Sequence, residues 1–330
     1  MQFMPYEHSR AHANVVVDGA PNEATVLALS HWPGIPQPAG MAHDLSAGMA
    51  FRYLEGPPDH PPATAVTNNH FDQDGLVSVF ALTHPTDARA HRELLIDLAA
   101  AGDFGTYRDR RAARASMVVS RMAEAGFDDY AEFCGRCYAE ALPQLLDMLL
   151  RGDRYRDLWG DEDAELTRSE QALASGAITI DERRELDLAV VTAGVGWSRA
   201  RGHRFGGNEF EGVHPMALNN ATSAVRLLLV HGRRYRYTDR YETWVQYTSR
   251  TLPARRDLRP LAERLTAAES GTVVWEADDP GALTPSLGHN GESTLAPELV
   301  IAELADYLAA ALPAWDPHAR HDAPLDAASA

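Results

Sequence analysis

Residues 63–82 decide the fold, and they read Ala-Thr-Ala-Val-Thr-Asn-Asn-His-Phe-Asp-Gln-Asp-Gly-Leu-Val-Ser-Val-Phe-Ala-Leu. The short apolar run at 63–67 is typical of a buried strand, and the apolar residues from Leu76 onward predict a helix. Between these elements lies the polar turn 68–75. The stretch therefore predicts a strand, a turn and a helix, which is the repeating unit of a parallel α/β sheet.

Two earlier runs, at 14–18 and 25–30, have the same compact apolar character and end in polar residues. Such runs suit strands that are buried on both faces of a parallel sheet. Helices are predicted at 47–54, with Asp44 as the expected cap, and at 89–101. The sequence therefore predicts a doubly wound, mainly parallel α/β domain, a helical connector, a smaller C-terminal α+β domain and a flexible tail, at residues 1–106, 107–184, 185–315 and 316–330.

The charge balance excludes several classes of function. The chain has 47 acidic and 30 basic side chains, which gives a formal net charge of −17. A body with this charge repels a long polyanion, so binding of duplex nucleic acid is not expected. All basic residues are arginine, and this excludes Schiff-base lysine chemistry and the phosphate-loop lysine. A small anionic substrate stays compatible with the charge if a metal or local positive charge is present.

The chain also lacks the usual features of a membrane or secreted protein. No apolar run reaches the length of a membrane span, and the polar start does not resemble a signal peptide. We therefore expect a cytoplasmic protein without membrane contact, and a homo-oligomer stays open. The only cysteines, Cys134 and Cys137, form a CxxC motif that suits a redox pair or half of a zinc site. Since the segment has a helical pattern and no second CxxC follows, we expect two incidental helix residues.

The polar turn 68–75, which lies between the predicted strand and the predicted helix, contains a candidate metal site. In an extended chain end, His70, Asp72 and Asp74 point the same way because the side-chain period is two. An imidazole and two carboxylates are suitable ligands for a divalent metal. The alternative is an ordinary turn with an aspartate cap, which uses the same residue types.

Three further residues of the same types lie at predicted element ends. Asp18 ends the first strand, His31 follows the second, and Asp103 follows a helix. Each of them alone would serve equally well as a cap or turn residue. In a parallel sheet, however, such ends meet at the carboxyl edge, where active sites of α/β proteins lie.

These residues resemble motifs of the DHH phosphoesterase family. The strand-end motif His-x-Asp-x-Asp-Gly of that family is matched by His70, Asp72, Asp74 and Gly75. Asp18 is similar to its strand-end aspartate, and Ser30-His31-Trp32-Pro33 can be aligned with its Asp-His-His-Pro signature. Asp103 follows a helix in a similar Leu-x-Ala-x-Gly-x context.

The chain departs from the family in the order of the motifs and at two residues of the signature. The His-x-Asp-x-Asp motif comes third here and first in the family, which predicts a permuted arrangement of the same strands. Ser30 stands in place of the aspartate of the signature and Trp32 in place of its second histidine. His31, at the metal-binding position, is retained.

The resemblance implies a dinuclear metal hydrolase that acts on a small phosphorylated or otherwise anionic substrate. Asp18 would bridge two ions, with His70 and Asp72 on one of them. The catalytic set would comprise Asp18 and the ligands of the second ion, His31, Asp74 and Asp103. Manganese is the metal that the resemblance implies, with magnesium or iron as alternatives. A ligand set that is rich in oxygen and contains no thiolate suits manganese or magnesium over zinc.

The C-terminal domain is expected to bind the substrate. Ser249 and Arg250 resemble a Ser-Arg strand end of the family, and Gly288, His289 and Asn290 resemble its glycine- and histidine-containing loop. The arginine cluster could equally be solvated surface charge. Two other functions stay open, namely an iron or manganese redox enzyme with the same ligands and a non-catalytic ligand-binding module.

Overall fold

The computed structural model describes residues 1–124, 129–194 and 212–319. They form two compact units, of which the first comprises Met1–Asp163 with Val245–Arg250 and the second Ala164–Trp244 with Thr251–Pro317. The connector predicted at 107–184 is thus divided between the units. Most of the tail predicted at 316–330 lies outside the described residues. Within the described part of the chain, no helix has both the length and the apolar character needed to cross a membrane.

The first unit contains a parallel sheet, as the deciding stretch predicts. Its strands are β1 (Gln2–Phe3), β2 (Asn14–Val17), β3 (Thr25–Leu29) and β4 (Ala65–Thr67), in the order β1-β4-β2-β3. All three neighbouring pairs are parallel. The side chains of β2 and β4 are buried throughout, because both faces of the sheet are covered.

Helices surround this sheet and complete the core. They are α1 (Tyr6–Ser9), α2 (Ser46–Glu55), α3 (Gln73–Thr83), α4 (Pro85–Ala90), α5 (Arg92–Asp103), α6 (Arg110–Met122), α7 (Tyr130–Ala141), α8 (Leu145–Leu150) and the first half of α9 (Arg156–Ser175). The helix predicted from Leu76 begins earlier, at Gln73, because the Asp72 side chain caps it by accepting the Gly75 N–H at 2.8 Å. Cys134 and Cys137 are buried, unbridged residues of α7, so their prediction as helix residues is confirmed.

The second unit is built on a mixed sheet. Its strands are β5 (Ile178–Arg183), β6 (Leu188–Ala193), β7 (Arg226–His231), β8 (Arg234–Asp239), β10 (Trp275–Ala277) and β11 (Ser286–His289), in the order β10-β11-β8-β7-β6-β5. Only the pair β6–β7 is parallel in this sheet. A two-stranded ladder pairs β9 (Arg255–Arg256) with β12 (Pro313–Trp315), and the helices are α10 (Pro215–Ala221), α11 (Arg259–Ala268) and α12 (Pro297–Ala310). The chain is therefore a mixed α/β protein.

Candidate metal centre

The candidate centre lies at the carboxyl edge of the parallel sheet. Asp18 directly follows β2, His31 lies two residues after β3, and His70 follows β4. The backbone of Asp18 is in the left-handed region, with φ 47°. The strand β2 accordingly ends one residue earlier, at Val17. The sheet thus brings together residues that are far apart in the sequence.

The six predicted ligands form two groups that share one carboxylate. The first group contains Asp18, His31, Asp74 and Asp103, and the second contains Asp18, His70 and Asp72. In each group, the candidate ligand atoms all lie within 4.8 Å of one another. Asp18 offers one oxygen to each side, since Oδ1 is 3.3 Å from Nε2 of His31 and Oδ2 is 3.3 Å from Nε2 of His70. This arrangement suits a carboxylate that bridges two cations.

The remaining distances define each half of the centre. Nε2 of His31 is 3.5 Å from Oδ2 of Asp103 and 4.0 Å from Oδ2 of Asp74. Nε2 of His70 is 3.0 Å from Oδ2 of Asp72. The Asp72 side chain is 30% exposed, whereas those of His31 and Asp74 are fully buried. The half with Asp72 is therefore the side from which solvent reaches the centre.

A backbone carbonyl fixes the orientation of the His31 ring. Nδ1 of His31 lies 2.6 Å from the carbonyl oxygen of Asp44. Because a carbonyl oxygen only accepts hydrogen bonds, Nδ1 carries the proton of this contact. Nε2 is then available as a ligand, which is the arrangement that metal-binding histidines commonly have.

The N-terminus of α2 holds the Asp74 carboxylate. The backbone N–H groups of Ser46 and Ala47 donate to its two oxygens, each at 2.7 Å. The Ser46 hydroxyl donates to Oδ1 of Asp18 at 2.9 Å and accepts a hydrogen bond from the backbone N–H of His31 at 3.2 Å. Ser46 therefore contacts three members of the centre, although only its place in a run of small residues distinguishes it in the sequence.

The pKa values of the centre reflect crowded negative charge. Burial and the Asp18 carboxylate raise the pKa of Asp74 to about 8. Burial would lower the pKa of His70, but the carboxylates of Asp72 and Asp18 outweigh it and raise this pKa to about 10.

The pKa values of Asp18 and His31 shift in opposite directions. Burial would raise the pKa of Asp18, yet hydrogen bonding to His31 and His70 holds it well below its usual range. Burial would lower the pKa of His31, but contact with Asp18 raises it. Four carboxylates face two imidazoles in this centre, which favours a divalent cation.

Trp32 covers the second half of the centre. Its ring centroid is 5.1 Å from that of His70, and the side chain is buried. An indole has no group that titrates near neutral pH. The Trp32 ring therefore packs against His70, while Asp72 of the same half stays partly open to solvent.

The segment Val245–Arg250 belongs to the first unit and lies beside His31. The Gln246 N–H donates to the His31 carbonyl at 2.8 Å. Backbone N–H groups of Thr248 and Ser249 donate to Oδ1 of Asp44 at 2.7 and 2.8 Å, and the Ser249 hydroxyl donates to Oδ2 of Asp44. The Asp44 side chain therefore binds this segment, and the Asp44 carbonyl binds the His31 ring. Asp44 is not the helix cap that the sequence predicts, because the N-cap of α2 is Leu45.

The predicted substrate-binding residues belong to different units of the chain. Ser249 and Arg250 are exposed residues of the first unit, and they lie outside any strand because β8 ends at Asp239. Gly288 and His289 lie in β11 of the second unit, where Nε2 of His289 accepts the Tyr235 N–H at 3.1 Å.

Asn290 follows β11, and its Oδ1 accepts the Val274 N–H at 2.8 Å. In the second unit these contacts hold the end of a β-hairpin.

One family model matches this chain over nearly its whole length. The model is described as a family of unknown function (DUF6687), and it matches residues 1–319. Comparisons with curated proteins and with solved structures gave no match. The chemistry of the centre therefore has to supply the argument for function.

Proposed function

The chain belongs to the family of unknown function DUF6687, and we propose that it is a dinuclear metal-dependent hydrolase of a small phosphorylated substrate. One observation carries this proposal. The buried Asp18 carboxylate directs one oxygen to the group of His31 and the other to the group of His70, each at 3.3 Å from the imidazole. The resemblance of the motifs to DHH phosphoesterases, in permuted order, supports the same reaction class and a doubly wound domain.

The donor set fits two hard divalent cations. Asp18, His70 and Asp72 would hold one ion, and Asp18, His31, Asp74 and Asp103 would hold the other. Carboxylate oxygens with a few imidazole nitrogens and no thiolate favour Mn²⁺ or Mg²⁺ over Zn²⁺. The excess of carboxylates over imidazoles gives these cations a charge to neutralise.

Bound divalent cations would lower the pKa of a water molecule to near neutrality and neutralise phosphoryl oxygens. The residues of the chain prepare this chemistry by holding the ligands in place. The Asp44 carbonyl fixes the tautomer of His31, and the first turn of α2 fixes both oxygens of Asp74. Asp72, the more exposed ligand, lies where a substrate phosphate can approach.

Metal content and phosphoester hydrolysis test the proposal together. We expect purified protein loaded with Mn²⁺ to retain about two ions per chain after dialysis. It should hydrolyse at least one of p-nitrophenyl phosphate, bis-p-nitrophenyl phosphate and pyrophosphate, and a chelator should abolish this activity. Asp18→Asn should lose both ions and the activity, because one carboxylate serves both groups.

Asparagine is the informative substitution because it tolerates the left-handed backbone of Asp18 and keeps the shape of the side chain. Asp181→Asn is the matched control, since the Asp181 side chain in β5 is 76% exposed. Stoichiometric metal with no hydrolysis but with oxygen consumption would replace the proposal by the redox alternative. Protein that binds no metal would refute both.

A further inference from the structure

The side chain of Asn69 joins the two turns that carry Asp18 and His70. Asn69 directly precedes His70 in the turn after β4. Its Oδ1 accepts the backbone N–H of Ala20, in the turn after β2, at 3.3 Å. The same oxygen lies 3.5 Å from Nδ1 of His70. One amide group therefore contacts the surroundings of two candidate ligands of the same ion.

The contact with Ala20 identifies the end of the amide that faces His70. A backbone N–H only donates, so the atom that it binds is the carbonyl oxygen of Asn69 and not the NH2 group. Because this oxygen accepts, the hydrogen between it and His70 belongs to Nδ1. Nε2 of His70 then faces the carboxylates, at 3.0 Å from Oδ2 of Asp72 and 3.3 Å from Oδ2 of Asp18.

Gly19 leaves the space that the Asn69 oxygen occupies. A Cβ atom at Gly19 would lie 2.1 Å from Oδ1 and 3.2 Å from Cγ of Asn69. The backbone of Gly19 is outside the left-handed region, so its conformation alone does not require glycine. The close approach of Asn69 is the feature of this turn that a side chain would prevent.

The two imidazoles of the centre are held in the same way by different kinds of carbonyl. Nδ1 of His31 faces the backbone carbonyl of Asp44 at 2.6 Å, and Nδ1 of His70 faces the side-chain carbonyl of Asn69 at 3.5 Å. Any residue at position 44 would supply the backbone oxygen. The oxygen at His70 comes from a side chain, so a substitution can remove it.

We propose that Asn69 is a positioning residue for the ion of Asp18, His70 and Asp72. Its Oδ1 keeps the proton of His70 on Nδ1 and holds the turn of Asp18 beside it, so that Nε2 and the carboxylates face one ion. This role rests on the proposed function, which supplies the ion. Partners of this kind on ligating imidazoles commonly contribute tenfold to a hundredfold in metal affinity. Since the contact is longer than that of His31, we expect the lower end of this range.

Titration of Asn69→Leu with Mn²⁺ measures the effect. Leucine has nearly the shape of asparagine but no acceptor, and it prevents water from replacing the oxygen. One of the two ions should bind about tenfold more weakly than in the wild type. The other ion, which would be held by His31, Asp74 and Asp103, should bind with unchanged affinity. Unchanged affinity for both ions, or an equal loss for both, would overturn the proposal.

Asn22→Leu is the matched control for a loss of turn structure. Asn22 is also half-buried, lies between β2 and β3, and accepts a backbone N–H with its Oδ1, from Ala24 at 3.0 Å. It belongs to neither ligand group. Asn22→Leu should lower the melting temperature without changing Mn²⁺ affinity. If it weakens Mn²⁺ binding as much as Asn69→Leu, the turn and not the imidazole contact is responsible.

Asn69→Asp is the conservative replacement that should restore binding. A carboxylate keeps an acceptor for Nδ1 of His70 and for the N–H of Ala20, and carboxylates are common partners of ligating histidines. Both ions should bind to Asn69→Asp within about threefold of the wild-type affinity. A loss as large as that of Asn69→Leu would contradict the role of the acceptor.

The Nδ1 proton of His70 gives a readout that a purely structural role would not change. In metal-free protein labelled with ¹⁵N-histidine, this proton should give a slowly exchanging NMR signal, which is assigned by its loss in His70→Gln. The signal should persist in Asn69→Asp and exchange rapidly with water in Asn69→Leu. An identical signal in Asn69→Leu, or no such signal in the wild type, would refute the contact.

Failure of this inference is distinguishable from failure of the proposed function. If wild-type protein binds no Mn²⁺, both the hydrolase and the role of Asn69 are refuted. If wild type and Asn69→Leu bind two ions equally well, the role of Asn69 is refuted and the hydrolase stands.

Discussion

The left-handed backbone of Asp18 is unfavourable for an aspartate, and it persists because its surroundings hold it. Ser46 donates to its carboxylate at 2.9 Å, and both imidazoles of the centre face its two oxygens. The following Gly19 is packed so tightly that a Cβ atom would lie 2.1 Å from Oδ1 of Asn69. Strained backbone of this kind concentrates at functional sites, where the rest of the fold offsets its cost.

Proton release on metal binding is the prediction that belongs to single residues. With pKa values of about 10 and 8, His70 and Asp74 are mostly protonated at pH 7 before a metal binds. Metal ligands must give up these protons, so Mn²⁺ affinity should rise with pH and binding at pH 7 should release more than one proton. Calorimetry in two buffers that differ in ionisation enthalpy measures this number.

The variant His70→Gln is the comparison for this measurement. It removes one group that is protonated at pH 7, so it should release fewer protons per ion bound than the wild type. Equal heats in both buffers for the wild type would contradict the prediction, because they would show that no net proton is exchanged.

At the scale of elements, the first turn of α2 organises the centre. A helix begins with backbone N–H groups that have no partner within the helix. Here two of them bind the carboxylate of Asp74, which belongs to α3. A side chain of another element therefore occupies the place of a local cap. The helix N-terminus partly offsets the rise in the Asp74 pKa that burial and the Asp18 carboxylate cause.

Ser46→Ala tests this organisation. The substitution removes the hydroxyl contacts with Asp18 and His31 but leaves the backbone N–H that binds Asp74. Since such supporting contacts commonly contribute tenfold or more to metal affinity, Mn²⁺ should bind about tenfold more weakly. Titration with Mn²⁺ measures the affinity, and circular dichroism should show unchanged helix content because alanine favours helices.

Ser78→Ala is the matched control for Ser46→Ala. Ser78 is an equally buried serine of the neighbouring helix α3, outside the two ligand groups. Its replacement should leave Mn²⁺ affinity unchanged. If both variants lose affinity equally, the effect of Ser46→Ala comes from general packing, and the role of its hydroxyl is refuted.

The sequence predicts elements well where a local pattern defines them. The strands at 14–18, 25–30 and 63–67 occur as β2, β3 and β4, because apolar runs bounded by polar residues are a local signal. The helix predicted at 89–101 is divided at His91 into α4 and α5, and the predicted helical connector ends in the strand β5. The two-residue β1 is too short to leave a pattern, and its parallel pairing with β4 alone defines it.

At the scale of the whole molecule, sheet topology explains why the sequence predicts the candidate ligands. It also explains why the sequence does not predict the hydrogen bonds that hold them in place. Asp18, His31 and His70 could be placed at one edge because parallel strands end there. The hydrogen bonds of Asp44 with Thr248 and Ser249 join residues about two hundred positions apart. No local spacing encodes such a contact, so the sequence presents Asp44 only as a helix cap.

The segment Val245–Arg250 provides the last prediction, since it links a distant stretch of chain to the candidate metal ligand His31. Its amides at Gln246, Thr248 and Ser249 donate to His31 and Asp44, and the Gln246 side chain donates to the carbonyls of Trp32 and Ile35 at 2.6 and 2.7 Å. A ligand that binds only the folded state suppresses opening of the unit that holds it. Mn²⁺ should therefore slow hydrogen exchange in peptides that cover 245–250 as well as in those that cover 65–75. Peptides from β7 (Arg226–His231), which belongs to the second unit, serve as the internal control, and a chelator should reverse the effect. If Mn²⁺ protects 65–75 but leaves 245–250 unchanged, the segment is attached to the first unit without being coupled to its metal centre.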